Sequence, residues 1–543
     1  MLNPGMCPTD QLVSDGAISS PATDRPADCR LRRIVSHPLT AWFVIGIGIV
    51  LRLRRYLQER GLLHDDALLA TNVFGKSFTQ LLGPLNIGNQ AAPVGFVILQ
   101  KCATEIFGHG ELTIRLVPLV ASVIALPIFF LTLRKIAGPA IAVAATAWLA
   151  LAEPLVQYSA EGKQYSTDVL WVTVMLALAA AQQRKGKVAI LALAGAVLLW
   201  FSHPLLFVLG GIGLARIINH CRQREFRLAR ADVAMGVCWF ISFAANYLLV
   251  SRHYVANDYL RTYWQEQGAF APIRLSLPAL LWYPRTIFGL INYPLGIVSR
   301  FTDRGRVFVL ACDVIFYIAA ASFAFGWVVM ARRSKQMLSY LIATLALALA
   351  GSALQRYPFS GRLTLFCAPL VVLPLAFAVG IDWPRLGSLA SPVRVFVCAI
   401  LFVFPIYLQA KYFLHPETPY DLKPALNYVK GNWRDGDSLY LHWGSDVLGD
   451  YYLNMPPVLN VPGAELVHGI YEPDPTLQVK RYADDLLQMQ GRNRVWIVFS
   501  MGADQDEQRF EQILAHRGQL LDHRQFRGGA ADLYDLQRSP KLR

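Results

Sequence analysis

Two adjacent carboxylates, Asp65 and Asp66, stand in the stretch "LLHDDALLATN", directly after an apolar segment long enough to cross a membrane. Acids beside a bilayer are costly unless they are solvated, paired or used in chemistry. The residues that follow, up to Arg115, add Lys76, Asn86, Gln90, Pro93, Lys101 and Glu105, more polar groups than a connector needs. A second cluster, "QYSAEGKQYSTD", presents Tyr158, Glu161, Lys163, Tyr165 and Asp168 within twelve residues. A third, "QRYPFSGRLTLF", carries Arg356, Tyr357 and Arg362. Lys, Arg and Tyr at helix ends commonly do no more than anchor a membrane helix at headgroup level, and each cluster taken singly has that plain reading. Three clusters on one membrane face are harder to dismiss. A carboxylate with cations nearby suits removal of an acceptor proton beside a departing phosphate. His64, next to the acids, is read as a solvated interfacial histidine, not a relay.

The elements that must position these residues are membrane helices. The chain has 543 residues, of which 54% are hydrophobic and 16% charged, a balance that excludes disorder and an ordinary soluble enzyme. The formal charge of +14 is carried in short basic clusters between apolar runs, as orientation signals are, so no nucleic-acid partner is expected. Eight scattered cysteines, none beyond Cys398, lack metal-type spacing and imply neither a disulfide framework nor a zinc site. The polar first ~35 residues and the absence of a small-residue cleavage site after the apolar run Leu39 to Leu51 make that run a retained first helix.

Segments of ~20 residues or a little fewer, enough to span the hydrocarbon core, fall at 38–56, 112–133, 138–156, 168–182, 188–201, 204–219, 232–251, 307–330, 337–354, 363–381 and 394–411. The stretch from Val188 to Asn219 is divided at Ser202, His203 and Pro204, because basic loops on both flanks require an even number of crossings. With eleven helices, every short Lys/Arg loop lies on one side, the cytoplasmic one: Arg30, Arg32 and Arg33; Arg134 and Lys135; Arg184, Lys185 and Lys187; Arg222 to Arg230; Arg332, Arg333 and Lys335; Arg385 and Arg394. The predicted organisation is a cytoplasmic tail over 1–37, a transmembrane domain over 38–411 and an extracytoplasmic domain over 412–543. The outer loops are 57–111, 157–167, 252–306 and 355–362, and all three clusters face outward. Two of the loops hold Trp- and Tyr-rich amphipathic stretches that read as interfacial helices. After Lys411 the short β runs "SLYLHW" and "RVWIVFS" alternate with helical stretches, the pattern of a small α/β domain. That domain has no glycine-rich phosphate fingerprint and no nucleophile elbow, so a structural or acceptor-docking role is expected of it.

The acid pair, the run "NQAAPVGFVILQK" before "ELTIRLVPLV", then "YSAEGKQYSTD" and "YPFSGRLTLF", together resemble bacterial glycosyltransferase family 39 of the GT-C superfamily. Its relatives include protein mannosyltransferases and aminoarabinose transferases, which take a sugar from a polyprenyl phosphate. The resemblance implies a polytopic α-helical GT-C fold with a C-terminal α/β extracytoplasmic domain, in the bacterial cytoplasmic membrane. It also implies an inverting transfer from a polyprenyl-phosphate sugar to an acceptor at the outer face. Asp65 matches the family's catalytic carboxylate, and Asp66 stands where many relatives have Glu. Glu161 and Asp168 each fit the second acidic position, depending on how the loop is gapped, with Asp168 in the better local context. Lys163 and Arg362 fall where basic groups near the lipid phosphate are expected, with Lys76 and Arg356 as further candidates. Asn86, Gln90, Tyr165 and Tyr357 are candidate substrate-binding residues.

The chemistry asks for the same groups. An inverting transfer needs one carboxylate as base, and the phosphate leaving group needs cations instead of an acid. No cofactor is firmly expected; a divalent metal on the acid pair is the one to consider, although two acids are few ligands for it. The sugar and the acceptor are not encoded in these motifs. A transporter is the main alternative, since membrane acids also mark ion pathways, but no internal repeat or midplane interruption supports it. A non-catalytic scaffold that retains the fold is the other.

Overall fold

The computed structural model describes residues 37–58, 61–181, 188–252, 258–298, 306–380, 390–416, 421–454, 466–472, 474–500 and 503–537. The expected cytoplasmic tail, apart from His37, lies outside these residues, as do the basic clusters around Arg30 and Arg184 and the loop residue Arg385.

Among the described residues, a helix occupies each of the eleven apolar segments: Pro38–Tyr56, Glu111–Ala137, Pro139–Leu151, Tyr165–Ala181, Val188–Leu198, Leu205–Arg222, Phe226–Asn246, Arg306–Arg333, Lys335–Ala353, Gly361–Gly380 and Ala390–Leu414. Seven of the described helices are long and apolar enough to cross a membrane, and Pro139–Leu151, Tyr165–Ala181 and Val188–Leu198 are shorter apolar helices. The chain is a multi-pass membrane protein. The stretch from Val188 to Asn219 does break, with the first helix ending at Leu198 and the next starting at Leu205 after Pro204. Proline lacks the N–H that a continuing helix would need there.

Apolar residues alone do not sort these helices into inner and outer positions; packing does. The segment Gly361–Gly380 has 89% of its most apolar window buried, against 17% for Phe308–Arg333, so the first runs through the centre of the bundle and the second along its lipid-facing side. The two cross closely at Gly326, where a Cβ would lie 1.8 Å from the Pro374 carbonyl oxygen. Any side chain there would force the helices apart.

One buried charge is structural. Arg52, 1% exposed, donates to the carbonyls of Leu149 (2.9 Å), Ala150 (3.0 Å) and Gly48 (3.0 Å) and to the Ser122 hydroxyl (2.6 Å). Leu149 and Ala150 belong to the last turn of Pro139–Leu151, whose final carbonyls have no intrahelical donor. A cation at a helix C-terminus satisfies both the hydrogen bonds and the dipole.

The C-terminal part is a five-stranded sheet in the order β2-β1-β3-β5-β4, made of β1 (Ser438–Leu441), β2 (Leu466–His468), β3 (Val495–Ser500), β4 (Gln519–Phe526) and β5 (Gly529–Asp535). β1 pairs in parallel with β2 and β3, while β5 runs antiparallel to β3 and β4. One face packs on the helices Pro475–Met489 and Ala503–Leu514 through Tyr482, Leu486, Phe510 and Leu514. The other shares a core with the helix His64–Gly75: Leu69, Val73 and Phe74 lie in one apolar cluster with Leu448, Tyr451 and Trp496. The helix that carries the acid pair is therefore built into the core of the C-terminal domain.

Candidate active site

The acid pair begins the helix His64–Gly75, where the unpaired N–H groups and the helix dipole favour negative charge. The approach to that helix is fixed from both the C-terminal domain and the start of the bundle helix Glu111–Ala137. The Gly61 N–H donates to Asp421 at 3.0 Å and the Leu62 N–H to the Tyr452 hydroxyl at 2.8 Å. Tyr452 in turn donates to Glu111 at 2.7 Å, and Arg115 donates to the Gly61 carbonyl at 2.7 Å. Glu111 is also paired with Lys423 at 3.1 Å.

Successive residues on a helix point ~100° apart, so the two acids have different fates. Asp65 is about one-third exposed and forms an ion pair with Arg362 at 2.6 Å. Asp66 is buried against the 159–164 turn, where a Cβ on Gly162 would stand 3.6 Å from its carboxyl carbon. Arg362 sits in the tight turn Gly361–Cys367, which Tyr357 holds by donating its hydroxyl to the Leu363 carbonyl at 2.8 Å. The guanidinium lies 6.0 Å from the ring centres of both Tyr165 and Trp264, a cation–π enclosure.

Lys163 is buried and donates to the Gln90 side-chain carbonyl. Gln90 reaches it because the 86–90 turn is pinned to the acid helix by Asn72, which donates to the Ile87 carbonyl at 2.9 Å; within the turn the Gln90 side-chain amide donates to the Gly88 carbonyl at 3.0 Å. Gly88 adopts a φ of +67° and has Leu68 where a Cβ would go, so no other residue allows this close approach.

These charges shape one another. Burial opposes ionisation of Asp65, but Lys163, Arg362 and His64 outweigh it and hold the carboxyl below its ordinary range. Burial draws the Lys163 ammonium downward, with Asp65, Asp66 and Glu161 opposing that shift. His64 is pushed down by burial and by Lys163, while Asp65 and Asp446 of the C-terminal domain pull the other way. Its Nδ1 is buried with no hydrogen-bond partner among the described residues.

Three of the other expected site residues join this cluster. Glu161 accepts from Gln157 at 2.8 Å and is among the charges that act on Lys163. Tyr165 lies under Arg362 and packs edge-on against Tyr158 with ring centres 5.1 Å apart. Gln90 joins through Lys163. Asp168, one helical turn beyond Tyr165, is buried and faces Ser202 at the 199–204 break. The remaining four are placed elsewhere. Lys76 donates to the Pro84 carbonyl at 2.7 Å and closes its own loop. Arg356 and Asn86 are exposed, and Tyr357 has its hydroxyl occupied within the Arg362 turn.

Trp264, Tyr293, Asn72 and Tyr452 were not legible as site residues. Trp264 lies in the short helix Asp258–Glu266, and Tyr293, in the same outer segment, shares a hydrogen bond with Tyr158. The aromatic richness of that segment was the available signal. No local spacing says which ring reaches an arginine about a hundred residues away.

No family model matches the sequence, and no curated protein matches it. The structure, by contrast, is similar to known ones. The crystal structure of ArnT from Cupriavidus metallidurans bound to undecaprenyl phosphate superposes with a TM-score of 0.53 at 14% identity, over 91% of this chain and 97% of that one. The apo form of the same protein gives 0.51 at 13% identity, over 92% and 98%. The chain is a polytopic membrane protein with the fold of the GT-C glycosyltransferases and a C-terminal sheet, as the sequence resemblance implied.

Proposed function

We propose that the chain is an inverting glycosyltransferase that moves a sugar from a polyprenyl-phosphate donor to an acceptor at the outer face of the cytoplasmic membrane. The observation that carries this reading is the meeting of Asp65 with Arg362 and Lys163, drawn from three distant parts of the sequence to the start of one helix. The similarity in fold to a protein crystallised with undecaprenyl phosphate supports the class of donor.

In this reading Asp65 is the general base. It takes the acceptor proton as the bond to the anomeric carbon forms and the bond from that carbon to the phosphate oxygen breaks, leaving polyprenyl phosphate. Arg362 and Lys163 stabilise the charge growing on that phosphate. The arrangement couples binding to basicity. Without donor, both cations lower the proton affinity of Asp65; a bound phosphate neutralises part of their field and restores it. Asp66 and Glu161 favour the charged form of Lys163 against its burial, and the Tyr165 and Trp264 rings hold the Arg362 plane. Asp168, buried one turn away, is a positioning group here, and Glu161 is the second acid of the site.

The direct test compares lipid-linked sugars in membranes of cells lacking the gene, cells restored with the parent and cells restored with Asp65→Asn. A polyprenyl-phosphate sugar should accumulate in the first and third and disappear in the second. An unchanged lipid-linked-sugar profile across all three would refute the reading.

A further inference from the structure

We infer that the C-terminal domain carries a divalent transition-metal site made of Glu511, His523 and Asp532, with zinc as the fitting ion. One ligand atom from each residue lies within 4.8 Å of the others. The three come from separate elements, the helix Ala503–Leu514, β4 and β5, and His523 is the direct cross-strand partner of Asp532.

Asp532 alternates with Ala530 and Tyr534 on the sheet face covered by Phe510 and Leu514. It is fully buried, at 0% exposure. A carboxylate taken into such an apolar layer is costly unless every lone pair is compensated. His523 Nδ1 meets one oxygen at 2.6 Å. The other oxygen, Oδ2, is buried with no hydrogen-bond partner among the described residues. Glu511 then brings a second carboxylate beside the first, which repels it instead of compensating it.

A cation between the three groups resolves both problems. Two carboxylate oxygens and one imidazole nitrogen form a mixed O/N donor set, which suits zinc and is poorly matched to magnesium or calcium, whose ligands are all oxygens. His523 is 42% exposed, so ions have a path in and water can complete the tetrahedron. Binding would exchange the His523–Asp532 hydrogen bond for two metal bonds. It would also fix the edge strand β4 to the helix Ala503–Leu514.

This site is separate from the acid cluster, and its test does not depend on the transferase reading. The full-length protein, purified in detergent and stripped with a chelator, is titrated with zinc chloride by calorimetry, and its unfolding temperature is followed in parallel. One ion should bind per chain and raise the unfolding temperature, with magnesium chloride producing neither effect. Glu511→Gln and His523→Gln, both at groups that are not fully buried, should each weaken zinc binding by at least about tenfold. Circular dichroism without zinc should match the parent in both variants. Absence of zinc binding in the parent, or parental zinc affinity in both variants, would overturn the site and leave an ordinary His–Asp ion pair.

Discussion

At the scale of single residues, the site is governed by competition for two cations. Arg362 and Lys163 favour the Asp65 carboxylate in the free protein, and in the proposed reaction they also bind the donor phosphate, so each should be visible in donor affinity. Replacing either by Ala is expected to weaken donor binding by ~1.5–3 kcal/mol, the range for a hydrogen bond to a charged group. Arg362→Lys should rescue only part of it, because an ammonium loses the guanidinium's planar fork and its stacking on aromatic rings. Equilibrium binding of undecaprenyl phosphate to the purified variants measures this, and parental affinity in both alanine variants would reduce these residues to membrane anchors. The pH dependence has a definite sign. As the proposed base Asp65 would act deprotonated, and its carboxyl is held low, so the acid limb of kcat/KM, which reports the free enzyme, should lie below the ordinary carboxylate range. Donor phosphate offsets the cations, so the acid limb of kcat should lie at higher pH. Coincident limbs would show that the donor does not share Asp65's cations.

At the scale of elements, the acid helix depends on partners that are remote in sequence. Tyr452 accepts from the Leu62 N–H and donates to Glu111, linking the start of that helix to the C-terminal domain. Tyr452→Phe removes both bonds with little change of shape. It is expected to lower kcat by up to about tenfold, the equivalent of ~0.5–1.5 kcal/mol, with donor affinity unchanged because Arg362 and Lys163 are not touched. Steady-state kinetics together with donor binding separates that outcome from a general loss of folding. Arg52 plays a comparable part within the bundle. Arg52→Leu leaves the Leu149 and Ala150 carbonyls without their donor and is expected to lower the unfolding temperature, with Arg52→Lys intermediate. Elements of this kind divide into what a sequence displays and what it hides. The eleven helices were legible because each falls in an apolar run, and even the break before Leu205 was marked by Pro204. Asp65, Lys163 and Arg362 were legible because charge at the end of an apolar run is conspicuous. The side-chain pairings were not. Whether Arg362 faces Asp65 while Arg356 faces solvent depends on which way a tight turn presents residues six apart, and no periodicity encodes that. Asn72 and Tyr452 are ordinary in sequence and acquire their roles only from loops that fold back onto them.

At the scale of the whole molecule, the proposed reaction requires a lipid-borne donor and its acceptor to meet where bundle and sheet domain join. The acid helix lies at that junction, sharing its apolar side with the sheet while Asp65 reaches Arg362 at the end of a central membrane helix. The proposed orientation puts this junction outside. A cysteine replacing the exposed Gln519 on β4 should therefore be labelled by an impermeant reagent from the outer side of intact cells, and labelling only after the cytoplasmic side is opened would invert it. The most direct test of the catalytic proposal is turnover by purified Asp65→Asn, using as donor the sugar lipid that accumulates in cells lacking the gene. Asparagine keeps the size of the side chain and cannot accept the proton. Transfer is expected to fall by ~10²–10⁴, the range for a lost general base, while the donor still binds; Asp66→Asn should be milder if that acid only holds Lys163. Transfer by Asp65→Asn at the parental rate would contradict the assignment of Asp65 as the base.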